Sequence, residues 1–271
     1  MFKRIMTAVI CIPLLLLLIY GLPELALVVA LAAISAMAIY EALCATNFLK
    51  HSRVTVYAIL MAAIIPFWVW AGEPARWGRL LLLAFVTALF AETIASRNTL
   101  GLERLGGAFF LAVFIPYFLS AFVRLRAMEH WKFYIIFPLV AAFSSDAFAL
   151  FAGMAFGKHK LAPKLSPKKT VEGALGGIAG AMAIMVIYGL LAKPLFGMET
   201  VRLGAMAFYG LAGSLISQLG DLSFSCIKRE YGIKDFGNIL PGHGGILDRF
   251  DSVIFCAPLL ELLLAFLPVI G

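Results

Sequence analysis

The sequence predicts an all-α fold, that of a polytopic integral membrane protein with about nine transmembrane helices. Of its 271 residues, 63% are hydrophobic and only 14% are charged, whereas about a quarter of the residues in soluble domains are charged. The apolar residues form runs of roughly 20, the length that a helix needs to cross the hydrocarbon core of a bilayer. These runs are 5–22, 24–46, 54–71, 80–96, 105–123, 133–153, 174–192, 203–223 and 252–269.

The distribution of basic residues predicts the orientation in the membrane. Lys3 and Arg4 precede the first run as in a signal peptide, but no small-residue cleavage motif follows it, so we expect a retained helix. With nine spans, fifteen lysines and arginines lie on one side and seven on the other. The positive-inside rule places the richer side in the cytoplasm. We therefore expect a protein of the cytoplasmic (inner) membrane whose loops 157–173 and 224–251 face the cytoplasm.

The net charge of +7 also bears on binding partners. A basic membrane surface attracts anionic lipid headgroups, by about 1 kcal/mol for each nearby lysine or arginine. No basic face interleaved with aromatic residues accompanies the charge, so we do not expect nucleic acid as a partner.

Polar chemistry is concentrated in the second half of the chain. Residues 1–132 form apolar runs with short connections, which predicts a scaffold of helices that also supplies oligomer contacts. Residues 133–271 hold the two charged loops and most of the unusual acids, which predicts a catalytic region. No internal repeat is evident, so a transporter built from inverted repeats is not favoured.

Two aspartates lie on the sixth and eighth runs, where burial of a charge is costly. Asp146 shares a helical face with Ala149, Gly153 and Gly157, and that face either packs on another helix or lines a cavity. Asp221 belongs to a polar stripe at helical spacing, which faces water or polar ligands. The stripe consists of Ser214, Ser217, Gln218, Asp221, Ser225 and Lys228.

A second pair of acids, Asp248 and Asp251, shares a face at the start of the ninth run. The helix macrodipole is by itself enough to stabilise acids in a first helical turn. Together with Asp221, however, they offer the carboxylates that Mg²⁺ takes while it keeps other positions for water and phosphate. We interpret Glu41, Glu92 and Glu261, which lack polar stripes, as helix-contact or headgroup-level residues.

The loops beside these acids have the composition of a phosphate site. Glycine permits close approach of the backbone to a ligand, and a helix N-terminus favours anions; here the glycine-rich turn Gly242, His243, Gly244 and Gly245 leads into the ninth run. Its basic neighbours are Lys228, Arg229, Lys234 and Arg249. The other loop carries five lysines, including Lys168 and Lys169. For His243, local hydrogen bonding and direct contact with phosphate or metal both stay open.

These residues resemble a known family. Residues 225–251 read S-x-I-K-R-x4-K-D-x-G-x2-L-P-G-H-G-G-I-x-D-R-F-D, which resembles the full signature of phosphatidate cytidylyltransferases, also called CDP-diacylglycerol synthases. The blocks 146–157 and 160–173 are similar to that family too. The resemblance implies transfer of CMP from CTP to phosphatidic acid among membrane lipids. It also implies Mg²⁺ as cofactor, room for a second metal ion that is monovalent or divalent, and a homodimer.

The expected site combines both sources of inference. Asp221 and Asp248 are the expected metal ligands, with Asp146 and Asp251 completing or orienting the site. Lys169 is expected in the catalytic group, and Lys168 with the basic and glycine-rich residues named above is expected to bind phosphates. Two alternatives stay open at this point: a CTP-dependent polyprenol or phytol kinase, and an anion or lipid transporter.

Overall fold

A computed structural model describes residues 13–45, 53–96, 101–239 and 244–270 of the chain. The described chain is mostly helical and divides into two compact units. The first unit comprises Met1–Arg124 and Ile233–Arg249, and the second comprises Leu125–Gly232 and Phe250–Gly271. The functional division of the sequence at residues 132 and 133 stays a prediction.

Five helices follow a π-helical turn at Leu17–Gly21 and build most of the first unit. They are α1 (Glu24–Ala45), α2 (Arg53–Trp70), α3 (Ala75–Ala95), α4 (Leu102–Leu119) and α5 (Ala121–Ala127). Helices α1, α2 and α4 pack on one another, and α3 packs on α2. Their sequences are apolar on all sides, as expected of helices that face both lipid and protein.

The second unit is built on three mutually packed helices, α7, α8 and α10. Its elements are α6 (Trp131–Tyr134), α7 (Phe137–Phe156), β1 (Lys160–Ala162), β2 (Ser166–Thr170), α8 (Val171–Leu190), α9 (Ala192–Phe196), α10 (Leu203–Glu230) and the greater part of α11 (Leu247–Phe266). Small residues let α7 and α8 approach closely. A Cβ at Gly176 or at Gly180 would overlap Ala152 or Phe148 of α7.

One polar group joins all three of these helices. The Nε2 atom of Gln218 on α10 donates to the Oγ of Ser214 at 3.1 Å, to the carbonyl of Ala174 on α8 at 3.1 Å, and to the Oγ of Ser145 on α7 at 3.5 Å. The hydroxyls of Ser145 and Ser214 are themselves 2.7 Å apart. Hydrogen bonds of this kind link helices in lipid, where the hydrophobic effect does not.

Two short antiparallel strands interrupt the helices. Strand β1 pairs with β2, with Lys160 opposite Thr170 and Ala162 opposite Ser166. The hairpin lies within the stretch 157–173, which the sequence presents only as a basic loop. The all-α class is unaffected, because these eight residues are the strand content of the described chain.

Seven helical segments in the described chain are long and apolar enough to cross a membrane. They match the second to eighth runs of the sequence analysis. The first run begins outside the described residues. The ninth corresponds to α11, which includes four charged residues, Asp248, Arg249, Asp251 and Glu261. An all-α polytopic membrane protein is thus confirmed, while nine crossings stay a prediction.

Candidate active site

A cleft of about 500 Å³ opens in the second unit. Its lining includes the charged or polar side chains of Asp146, Lys168, Lys169, Gln218 and Asp221. It also includes the apolar side chains of Leu150, Met154 and Leu161, of which Leu150 and Met154 are largely exposed. A cleft lined by both kinds of side chain suits a ligand that has an anionic head and an apolar chain.

The charged part of the cleft contains an ion pair between Lys169 and Asp221. Both side chains keep about a quarter of their surface exposed, 27% for Lys169 and 24% for Asp221. The Oγ of Ser225, one helical turn further along α10, lies 3.4 Å from Oδ1 of Asp221. An anionic ligand that takes Lys169 would therefore free a carboxylate for a cation.

Thr170 places Lys168 and Lys169 at the cleft. It ends β2 and is the N-cap of α8, where its Oγ1 accepts a hydrogen bond from the N–H of Gly173 at 3.1 Å. Such a cap satisfies one of the free amides of a helix start. A Cβ at Gly153, Gly157 or Gly173 would come within 3.1 Å of the same oxygen. The end of α7 thus accepts the hairpin because these positions lack side chains.

The hairpin is also held at its base and near its turn. At the base, Glu172 accepts hydrogen bonds from the backbone N–H groups of Lys158 at 3.0 Å and His159 at 3.2 Å. The Oε1 of Glu172 is 2.6 Å from Nδ1 of His159. Near the turn, Nε of Arg229 on α10 donates to the carbonyl of Leu165 at 3.1 Å. The hairpin is therefore fixed to α8 and α10 at these two places.

A second set of charges lies beside the Asp221 pair. The Nζ of Lys228 is 3.7 Å from Oδ2 of Asp251, and both side chains are nearly buried. Oδ1 of Asp251 accepts the N–H of Ser252 at 2.8 Å, and the Oγ of Ser252 lies 3.4 Å from Oδ2 of Asp146. The charges of Asp146 and Asp221 both act on Asp251. Three carboxylates from α7, α10 and α11 thus share one region.

Asp248 belongs to the first unit and holds a loop there. Its Oδ2 accepts hydrogen bonds from the N–H of Phe236 at 2.8 Å and from the N–H of Gly245 at 3.1 Å. The side chain is buried. Its position in the first turn of α11 is favourable for an acid, and the two backbone N–H groups satisfy its Oδ2 atom.

Comparison with known proteins places the chain in a family. A family model described as "Cytidylyltransferase family" matches residues 2–267, nearly the whole length. The chain belongs to the cytidylyltransferase family. The resemblance drawn from the sequence motifs is thereby confirmed.

Three similar members of the family are named phosphatidate cytidylyltransferase. The phosphatidate cytidylyltransferase of Bacillus subtilis (strain 168) is 39% identical over 186 residues, 68% of this chain and 67% of the relative. That of Thermotoga maritima is 28% identical over 230 residues, 84% and 83% of the two chains. That of Staphylococcus saprophyticus is 37% identical over 184 residues, 68% of each.

Among the described residues, the expected site residues of this family member fall into three groups. The cleft of the second unit brings together Asp146, Lys168, Lys169 and Asp221. Lys228, Asp251 and Arg229 belong to the same unit but make the contacts described above. The first unit holds the buried Asp248 and Gly245, the partly buried Gly244, and the exposed Lys234 and Arg249. Gly242 and His243 lie outside the described residues. Their catalytic and binding roles stay predictions.

The donor set fits a hard cation in its chemistry. Asp146 and Asp221 line one cleft, and Mg²⁺ takes one or two carboxylates and fills its other positions with water and phosphate. Within the described ranges, no group of three or more His, Cys, Asp or Glu side chains is arranged so that it could hold a metal ion. Asp221 lies in the second unit and Asp248 in the first, and a metal ion shared by the two stays a prediction.

Some residues that shape the site did not stand out in the sequence. Gln218 was recognised only as part of a polar stripe, although it joins three helices. Thr170 and Glu172 carry a recognisable signal, since Thr followed by an acid in the first turn is typical of a helix start.

Proposed function

We propose that this chain transfers CMP from CTP to phosphatidate, which gives CDP-diacylglycerol and releases pyrophosphate. Relatives named phosphatidate cytidylyltransferase over two thirds or more of the chain support this assignment. The observation that carries it in the molecule is the cleft of the second unit, whose lining is both charged and apolar. It has lysines and carboxylates for phosphates, and exposed Leu150 and Met154 for acyl chains.

Each part of the cleft takes one part of the reaction. Lys168 and Lys169 bind triphosphate oxygens of CTP, and Lys169 leaves Asp221 to do so. The phosphate of phosphatidate lies beside the lysines, and its acyl chains leave along Leu150, Met154 and Leu161. Since both reactants are anions, the protein must hold them together against their mutual repulsion, which is the main work of phosphoryl-transfer enzymes.

The chemical step needs no nucleophile from the protein. An oxygen of the phosphatidate phosphate attacks the α-phosphorus of CTP and forms a new P–O bond. The bond from the α-phosphorus to the oxygen that bridges to the β-phosphate breaks, and pyrophosphate leaves with that electron pair. Lysine ammonium groups offset the charge that gathers on the leaving group.

We further propose that Mg²⁺ binds at Asp221 and Asp248, and that Asp146 and Asp251 complete or orient the site. When bound, the ion supplies charge neutralisation and alignment of phosphate oxygens. The basic loops and the residue distribution support a site that faces the cytoplasm of the inner membrane. The family resemblance supports a homodimer.

The experiment uses the detergent-solubilised full chain with phosphatidate and CTP labelled in turn at the α- and γ-phosphorus. We expect the label of the α-phosphorus in the lipid product and the label of the γ-phosphorus in pyrophosphate, in equal amounts. Label from the γ-position in lipid with CDP release would instead identify a kinase. After reconstitution of the chain into sealed vesicles, flux of substrate without CTP turnover would identify a transporter, and either result would overturn the proposal.

A further inference from the structure

Glu41 on α1 is a deeply buried acid in the first unit. Only 3% of its surface is exposed, and the site described above does not use it. Burial of a carboxylate away from water is unfavourable unless donors compensate for its charge. The burial of Glu41 therefore indicates that its carboxylate has a specific partner and does not contact lipid headgroups.

The partner is the start of α11. The N–H of Leu247, the first residue of that helix, donates to Oε2 of Glu41 at 2.9 Å across a separation of 206 residues. The first amides of a helix have no partner within the helix, and negative charge there is favourable. Glu41 thus caps α11 from a distant part of the chain.

The loop before α11 is shaped around this carboxylate. A Cβ at Gly237 or at Gly245 would overlap the carboxyl group of Glu41. Neither glycine has a positive φ, so what these positions require is the absence of a side chain. The glycines therefore let the loop close over Glu41.

Two acids consequently hold the same loop. Asp248 binds the N–H groups of Phe236 and Gly245 through Oδ2, while Glu41 binds the adjoining N–H of Leu247. Successive helical residues rise only 1.5 Å, so a shift at Leu247 is carried directly to Asp248 and Arg249. Among the described residues, Oε1 of Glu41 has no hydrogen-bond partner, which leaves the Oε2 bond as the contact to test.

We propose that Glu41 is a positioning residue for the nucleotide half of the reaction. By capping α11 and filling the space left by Gly237 and Gly245, it sets the positions of Asp248 and Arg249, the residues of this segment that are expected to bind metal and phosphate. This inference rests on the proposed function. A positioning role differs from that of an ordinary helix contact. If Glu41 has this role, its loss changes the use of CTP more than the use of phosphatidate.

The first test compares Glu41→Ala, Glu41→Gln and a matched control on the same helix, Ser35→Ala, which also removes a buried polar group. Misplacement of catalytic groups by about 1 Å costs up to about a hundredfold. We expect Glu41→Ala to lower kcat/KM for CTP about tenfold to a hundredfold, with KM for phosphatidate within about twofold. The amide of Gln keeps an oxygen acceptor for Leu247, so Glu41→Gln recovers most of the loss. Ser35→Ala behaves as wild type.

A double-mutant cycle tests the contact itself, since coupled residues show non-additive effects. Gly237→Ala is expected to lower kcat/KM for CTP about tenfold in the wild-type background. In the Glu41→Ala background, where the space is open, the same change costs at most about twofold. The cycle is also read from the midpoint of thermal unfolding in detergent, which does not depend on turnover.

The outcomes separate the inference from the function on which it rests. A wild-type protein that releases no pyrophosphate from CTP and phosphatidate overturns the proposed function. Equal losses in Glu41→Ala and Glu41→Gln, equal changes in KM for both substrates, or an additive Gly237 cycle overturn positioning by Glu41. A fall in the amount of folded protein with unchanged kinetic constants also overturns it, because that result describes a purely structural residue.

Discussion

Lys228 and Asp251 form an ion pair in the second unit, with Nζ 3.7 Å from Oδ2 and side chains only 10% and 12% exposed. The pair joins the end of α10 to the start of α11. Asp146 and Asp221 add negative charge around it, so Lys228 offsets the repulsion among three acids. Charge balance therefore places strict limits on substitutions in this region.

Replacement of Lys228 by methionine is expected to lower the free energy of unfolding by about 3 kcal/mol, because it leaves Asp251 buried without its cation. The double variant Lys228→Met, Asp251→Leu should recover most of that stability, since it removes both charges, but should not recover turnover. Unfolding of the detergent-solubilised protein measures the first effect. Unchanged stability in the single variant would show that the ion pair makes no net contribution to the free energy of unfolding.

Lys169→Ala is expected to weaken the use of CTP, with KM for CTP raised at least about tenfold, because one charged contact to phosphate contributes roughly 1.5–3 kcal/mol. Steady-state kinetics with varied CTP and fixed phosphatidate measure it. Lys164→Ala is the matched control, since Lys164 lies in the turn of the same hairpin, is exposed and does not line the cleft. An unchanged dependence on CTP in Lys169→Ala would remove this lysine from the site.

Asp221→Asn is expected to lower kcat at least about a hundredfold, as loss of a preorganised charge typically does, while the protein still inserts and purifies. Glu230→Gln, on the same helix but exposed and outside the cleft, serves as the control. Pyrophosphate release measures activity, and a thermal midpoint close to that of wild type shows that folding is retained. Activity near the wild-type level would argue against a metal or phosphate role for Asp221.

Asp248→Asn tests the other expected metal ligand. Asparagine keeps an oxygen that accepts the N–H groups of Phe236 and Gly245, so we expect the loop and the fold to persist. Loss of the negative charge should nonetheless lower kcat at least about a hundredfold. If pyrophosphate release instead stays close to wild type, Asp248 serves only to hold the loop.

Leu150→Trp is expected to raise KM for phosphatidate at least about fivefold, because a large side chain narrows the apolar part of the cleft and overpacking is unfavourable. KM for CTP should change little. Leu175→Trp is the matched control, since Leu175 is 61% exposed, close to the 60% of Leu150, and does not line the cleft. Equal effects of both variants on phosphatidate kinetics would place the lipid elsewhere.

Much of the fold was predictable, because helix length and apolar runs are local properties. The acids of the cleft were predictable too, since Asp146 and Asp221 stand out in apolar surroundings. The hairpin was not, because its strands are short, β2 contains Pro167 and the turn contains Pro163, and the hairpin depends on docking against Gly153 and Gly157. Glu41 was least predictable, because its partner lies 206 residues away and such a contact leaves no local pattern.

The mixed charged and apolar lining of the cleft also bears on the order of events in turnover. In the proposed reaction, the lipid arrives by lateral diffusion within the bilayer and the nucleotide arrives from water. The proposed direct attack needs both reactants on the enzyme before any bond is broken and forms no covalent enzyme species. Initial-rate plots at several fixed lipid fractions accordingly intersect rather than run parallel, and dilution of the lipid in micelles slows the rate as a two-dimensional concentration effect.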